Sequence, residues 1–144
     1  MRVRAFLDSN ILIYAQSATE PQKRETARAL AHKYEVVIST QVLSEVARVL
    51  ICKEGMAASE VRSRLAPLAQ GCDVCALTKE IVFDALRIVE RYRYGFYDSQ
   101  IIAAALASGA KTLFSEGLQH GQVIDGALKI RSPFTRVARQ PSAD

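Results

Sequence analysis

Three carboxylates, Asp8, Glu45 and Asp98, occupy positions from which they could do chemistry together. Asp8 ends a short apolar run. Glu45 has valines at i−3, i+1 and i+4, so it borders the apolar stripe of a helix. Asp98 opens the nearly all-apolar segment Y-D-S-Q-I-I-A-A-A-L-A-S-G. Each also has a structural explanation, namely a helix cap, an edge position that reaches water, or stabilisation by a helix dipole.

A fourth polar group, Ser115 and Glu116, follows the buried run K-T-L-F. On its own this stretch reads as a solvated loop. If it lay beside the three acids, the carboxylates would repel one another by several kcal/mol per pair unless cations or protons stood between them. Oxygen ligands with only 2 histidines in the chain suit Mg²⁺ or Mn²⁺.

The elements that must position these groups alternate between strand and helix. We predict strands over 3–7, 35–38, 73–76 and 111–114, with a further strand over 127–130. Helices are predicted over 10–15, 21–33, 40–52, 57–70, 78–93 and 98–108. Alternation of this kind predicts an α/β fold, an α/β/α sandwich around a parallel sheet of four to five strands. Ligands bind beyond the carboxyl ends of such strands, so the four groups are expected at one edge of the sheet.

The composition limits the class of protein. The chain has 144 residues, 49% of them apolar and 24% charged, and its net charge is +4. This predicts one globular domain over 1–134 followed by a flexible tail over 135–144. No apolar run approaches the ~20 residues of a membrane span, and no signal peptide is evident, so a cytoplasmic protein is expected. The C-D-V-C motif is interpreted as structural cysteines, because the remaining ligands lack the paired spacing of a zinc site.

Three motifs in order carry a family resemblance. The stretches F-L-D-S-N-I-L-I-Y, S-T-Q-V-L-S-E-V and Y-D-S-Q-I-I-A-A-A-L-A-S-G-A-K-T-L-F-S-E-G-L-Q-H-G-Q together resemble a PIN-domain protein. Within that superfamily they are most similar to the VapC-type toxins of bacterial toxin–antitoxin pairs. The resemblance extends from Val3 to about Phe134.

The resemblance implies a ribonuclease that depends on Mg²⁺ or Mn²⁺. Asp8, Glu45 and Asp98 match the family's first three acids, which would hold the metal. Asn10 matches a supporting asparagine, and Ser115 matches a hydroxyl-bearing position after the fourth strand. Ser115 or Glu116 would support a second, weaker ion that binds together with phosphate oxygens of the substrate. A cognate antitoxin, an RNA substrate and a homodimer are expected on the same ground.

The chain departs from the family at Gly117, where related toxins carry an aspartate. Glu116 is present beside it, but a neighbouring residue points in a different direction and does not simply replace it. The departure leaves an alternative open, a catalytically degenerate PIN domain that binds RNA or a protein without cleavage.

The sequence also offers candidates for surface contacts. Arg87, Arg91 and Arg93, near several aromatic residues, are candidates for RNA binding, although a solvated helix end explains them as well. Apolar residues of the second and third helices, Leu30, Val46 and Leu50, would either line an antitoxin groove or belong to the core.

Two other enzyme classes place an acid after the first strand. A haloacid-dehalogenase phosphatase needs a second aspartate where this chain has Asn10. A receiver domain needs paired acids near the first strand and a lysine after the last. Neither pattern is evident, and the chain carries no glycine-rich nucleotide motif.

Overall fold

The computed structural model describes residues 2–134, so the predicted tail over 135–144 lies outside the described residues. Six strands form one sheet: β1 (Arg4–Leu7), β2 (Glu35–Ser39), β3 (Asp73–Cys75), β4 (Thr112–Phe114), β5 (Val123–Ile124) and β6 (Leu128–Arg131). Within residues 2–134, six helices follow the first three strands in pairs: α1 (Ser9–Ala15), α2 (Pro21–Lys33), α3 (Thr40–Cys52), α4 (Ala58–Gly71), α5 (Lys79–Tyr92) and α6 (Phe96–Ala107).

The strand order is β3-β2-β1-β4-β6-β5, and every neighbouring pair is parallel except β5 with β6. The predicted α/β fold is therefore confirmed. The sheet has six strands rather than four to five, because a two-residue strand, Val123–Ile124, pairs antiparallel with the last strand. So short a strand has no apolar pattern of its own from which it could be predicted.

The order of the strands reverses between β1 and β4. The chain moves from β1 to β2 to β3 in one direction and then returns to the other side of β1. Because parallel crossovers are right-handed, this places α1 to α4 on one face of the sheet and α5 and α6 on the other. Ligand sites in open α/β sheets form where the order reverses, beyond the carboxyl ends of the two strands.

The core lies between the sheet and both helical layers. The β1 residues Ala5, Phe6 and Leu7 are buried, as the continuous apolar run predicts for a strand covered on both faces. Helix α6 is buried without interruption over residues 99–105, which holds it rigidly against the sheet. Leu30, Val46 and Leu50 are also buried, so they belong to the core and do not line a groove.

Helix α6 begins at Phe96, two residues earlier than the sequence predicts. Gly95 is its N-cap, and Asp98 lies inside the first turn instead of at the head. Helix α5 ends correspondingly early, and Arg93 forms its C-cap with a left-handed backbone at φ 68°. The result is a tight junction between the two helices.

Among the described residues, no helix is long and apolar enough to cross a membrane.

Candidate metal centre at the carboxyl ends of the strands

Asp8 lies at the point where the strand order reverses. Its backbone N–H donates to the Phe114 carbonyl at 3.0 Å, which locks the end of β1 to the end of β4. The side chain caps α1, with Oδ1 accepting from the Ser9 N–H at 2.7 Å. Oδ2 accepts from the buried Ser115 hydroxyl at 2.8 Å. Three hydrogen bonds thus hold Asp8 at this edge, one from the adjacent Ser9 and two with the distant residues Phe114 and Ser115.

The surroundings of Asp8 disfavour the ionised form of its carboxyl. Only 6% of the residue is exposed, and burial raises the pKa of its carboxyl from 3.8 to about 6. The hydrogen bonds from Ser115 and Ser9 oppose this rise, while the charges of Glu45 and Asp98 add to it. A buried carboxylate with two like charges nearby is a group that a cation would stabilise.

Glu45 is half-buried on α3 and held by two donors. Its Oε1 accepts from the Ser9 hydroxyl at 2.8 Å, and its Oε2 accepts from Gln41 Nε2 at 3.0 Å. Gln41 is itself fixed, because its Oε1 accepts from Gln100 Nε2 at 3.1 Å. A chain of amides therefore runs from α6 to α3 and sets the direction of the Glu45 side chain.

Asp98 is exposed in the first turn of α6 rather than facing the core. Partial loss of solvent and the charge of Glu45 raise the pKa of its carboxyl. The charges of Glu45 and Asp98 thus act on Asp8, and the charge of Glu45 acts on Asp98. Within residues 2–134, however, no three His, Cys, Asp or Glu side chains stand as a ready-made metal cluster.

The donor chemistry at this edge fits a hard divalent cation. The available groups are carboxylate and hydroxyl oxygens, the ligands that Mg²⁺ and Mn²⁺ prefer. Asn10 takes a supporting position, since its Oδ1 accepts from the Glu116 N–H at 3.1 Å and holds the loop after β4 against α1. The residues that sequence reasoning missed are Ser9 and Gln41. Gln41 stands four residues before Glu45, a helical spacing that could have indicated it.

Glu116 is engaged elsewhere. Its carboxylate accepts from Lys23 Nζ at 2.7 Å and from the Tyr14 hydroxyl at 2.7 Å. These partners lower the pKa of Glu116 against a rise caused by its burial. The predicted supporting role of Glu116 at the metal is therefore corrected: its side chain is bound to α1 and α2. A Cβ at Gly117 would lie 3.8 Å from Asn10 Nδ2, in ordinary van der Waals contact.

The arginines predicted to bind RNA do not line the groove that contains Glu45. Arg87 is committed to ion pairs with Asp84 and Asp125, both at 2.7 Å. Arg91 lies over the Tyr92 ring at 5.3 Å, and Arg93 is the exposed cap of α5. Arg87 thus joins the end of α5 to the turn after β5, and RNA binding by the three arginines stays a prediction beside the alternative of a solvated helix end.

Residues 5–123 match the PIN domain family. The chain belongs to that family. No curated protein matches it significantly.

Solved structures share the PIN fold with this chain at low sequence identity. A toxin–antitoxin complex from Klebsiella pneumoniae aligns with a TM-score of 0.69 and 19% identity, over 90% of this chain and 98% of its own. VapC20 of Mycobacterium tuberculosis, a toxin that cleaves the sarcin–ricin loop, aligns with a TM-score of 0.63 and 22% identity, over 76% and 86%. VapBC2 of Rickettsia felis, bound to promoter DNA, gives a TM-score of 0.66 and 19% identity, over 90% and 98%. At these identities the likeness establishes the fold.

Proposed function

We propose that this PIN-domain protein is a ribonuclease dependent on Mg²⁺ or Mn²⁺, the toxin of a toxin–antitoxin pair. The observation that carries the proposal is buried Asp8, whose charge is opposed by its surroundings and by Glu45 and Asp98. PIN nucleases generally use divalent metals, and toxins with the same fold include one that cleaves RNA.

The roles of the residues follow from their contacts. Asp8, Glu45 and Asp98 would hold the metal. The ion would lower the pKa of a bound water and offset charge on the phosphoryl oxygens of the RNA. Ser115 fixes the orientation of Asp8 by donating to Oδ2, and the Ser9 N–H fixes Oδ1.

The site offers three carboxylates rather than four. Gly117 supplies none, and the charge of Glu116 is balanced by Lys23. This arrangement favours one tightly held ion, with any second ion depending on phosphate oxygens of the substrate. The same observation keeps a second candidate in view, a PIN domain that binds RNA without cleavage.

The test is cleavage of structured RNA by the purified protein with Mn²⁺. We expect activity that EDTA abolishes and that Asp98→Asn reduces by about 10²-fold or more, a loss typical of removing a group that stabilises charge in the transition state. Cleavage that persists in EDTA and in Asp98→Asn would refute the metal site. RNA binding without cleavage would favour the second candidate.

We further propose that a cognate antitoxin binds in a groove between α2 and α4. The groove has a volume of about 520 Å³, with Leu12, Ala27 and Leu68 among its apolar lining residues and Arg28 at its rim. The charged lining residues are of both signs, with Glu35 and Asp73 beside Arg2 and Arg28, so the apolar residues are the common feature that an amphipathic helix would recognise.

The groove can be tested by charge insertion. Ala31 lines it and is exposed, whereas Ala29 is exposed on the same helix outside it. We expect Ala31→Glu, but not Ala29→Glu, to prevent co-purification with the product of an adjacent antitoxin gene. Equal binding by both variants would place the antitoxin elsewhere. The homodimer remains a prediction, to be measured by light scattering on the purified protein.

A further inference from the structure

A groove of about 870 Å³ opens beside the candidate metal centre. Ser9 and Glu45, which belong to that centre, form one side of it, and Arg48 and Tyr97 also line it. The predictions from sequence did not include Arg48 or Tyr97. The groove therefore extends the acidic site toward a cation and an aromatic ring.

Arg48 follows Glu45 by three residues on α3, so the two side chains share a face of the helix. It is exposed, and within residues 2–134 it makes no hydrogen bond or ion pair. The two carboxylate oxygens of Glu45 accept from Ser9 and Gln41 instead. A guanidinium left free beside a groove is suited to bidentate contact with a phosphate.

Tyr97 presents its ring to solvent on a fixed backbone. The residue is 69% exposed. Its carbonyl oxygen accepts from Gln41 Nε2 at 3.2 Å, which ties the first turn of α6 to α3. The ring packs edge-on against Phe96 with centroids 5.4 Å apart. The exposed ring therefore lines the groove beside Glu45, where an unpaired base could stack on it.

We propose that this groove binds a nucleotide of single-stranded RNA that flanks the scissile phosphate. Its unpaired base stacks on Tyr97, and its phosphate pairs with Arg48. The inference rests on the proposed ribonuclease function and specifies how the substrate is held. Aromatic rings stack on unpaired bases, while duplex RNA keeps its bases inside the helix. The site therefore selects unpaired RNA over duplex RNA.

Binding can be measured without cleavage. All variants are made in an Asp8→Asn background and assayed in EDTA, by fluorescence anisotropy with a labelled random-sequence RNA of 12 nucleotides and with a duplex of equal length. Tyr97→Leu is expected to weaken single-strand binding about 5- to 150-fold and to remove the preference over duplex. Its matched control is Phe83→Leu, since Phe83 is 70% exposed on α5, outside the groove.

The proposed contact between Arg48 and a phosphate is tested by the salt dependence of RNA affinity. Arg48→Gln is expected to weaken binding and to reduce the slope of log K against log salt by about 0.7, the contribution of one phosphate contact in a single strand. Arg62→Gln, which removes an exposed arginine of α4, is the control and should leave the slope unchanged.

The outcomes separate the two proposals. Losses confined to Tyr97→Leu and Arg48→Gln support the groove. If Tyr97→Leu and Arg48→Gln bind RNA with the same affinity as their control variants, the proposed nucleotide site is overturned, even if the unmodified protein cleaves RNA. If those variants instead lose the antitoxin while keeping RNA, the groove is a protein-binding surface. Failure of the unmodified protein to cleave RNA with Mn²⁺ counts against the proposed function, which the binding assay does not measure.

Discussion

Replacing the buried carboxylate Asp8 by asparagine should make the metal-free protein more stable. The pKa of Asp8 rises from 3.8 to about 6 on folding, mainly because the group is buried. At about 1.4 kcal/mol for each pKa unit, ionised Asp8 costs the folded state about 3 kcal/mol at neutral pH. Asparagine removes the charge but keeps the helix cap, since it is as good an N-cap as aspartate. Its amide can also donate to Ser115.

The sign of the pH dependence follows from the same values. Below pH 3.8 the carboxyl is protonated in both the folded and the unfolded state, so it does not lower the stability of the fold. Between pH 3.8 and about 6 the folded protein retains a proton that the unfolded chain has lost, so stability falls as pH rises. Above pH 6 the penalty is constant. At pH 5 it should be about half of its value at pH 7.5.

The assay is urea unfolding in EDTA at pH 7.5 and pH 5. We expect Asp8→Asn to gain between about 1 and 3 kcal/mol at pH 7.5, since the loss of hydrogen bonds to a charged acceptor offsets part of the gain. The gain should be smaller at pH 5. Asp73→Asn is the control, because Asp73 is exposed and paired with Arg4 and should gain nothing. An Asp8→Asn protein no more stable than the unmodified one, or equally stabilised at both pH values, would refute the reasoning.

Three further predictions concern the metal and the loop after β4. Mn²⁺ should protect the unmodified protein from thermal unfolding by an amount that grows with RT ln(1 + [Mn²⁺]/Kd), and Asp8→Asn should lose that protection; equal protection of both proteins would exclude Asp8 as a ligand. The Gly117→Asp variant should fold normally, because a Cβ at residue 117 meets only Asn10, at 3.8 Å, and the φ of this residue is not positive. It should bind Mn²⁺ more tightly than the unmodified protein when affinity is measured by calorimetry. Unchanged affinity would mean that the fourth acid is not needed. In a double-mutant cycle of Lys23→Met and Glu116→Gln, the coupling free energy of unfolding should stay below about 1 kcal/mol, because the pair is about one-third exposed. This coupling should weaken as pH drops through the lowered pKa of Glu116. Coupling that persisted in acid would point to a non-ionic contact.

Local sequence patterns predicted the strand and the helix that position Asp8 and Glu45. The buried run that ends at Leu7 fixes β1, and Asp8 follows it directly, so the sheet edge carries a carboxylate whatever the rest of the chain does. The apolar face of α3 placed Glu45 close to its observed position in the same way. These features depend on neighbours within one or two helical turns, which is the range over which sequence periodicity is informative.

Contacts between distant residues could not be predicted in this way. Glu116 pairs with Lys23, 93 residues away, and Arg87 pairs with Asp125, 38 residues away. Such pairs depend on how the strands are ordered, and the periodicity of a helix does not encode them. Tyr97 shows the same limit, because an aromatic residue next to an apolar helix is expected in the core, yet its ring faces solvent.

The two edges of the sheet restrict how a partner protein can attach. Within residues 2–134, the edge strands are β3, with three residues, and β5, with two. A peptide that adds a strand to a sheet relies on a run of unpaired backbone groups, and edges this short provide few of them. They also give other copies of the chain little to pair with, which reduces edge-to-edge aggregation. Association with this fold is therefore directed to side chains on the helical faces, where recognition depends on sequence rather than on backbone hydrogen bonds.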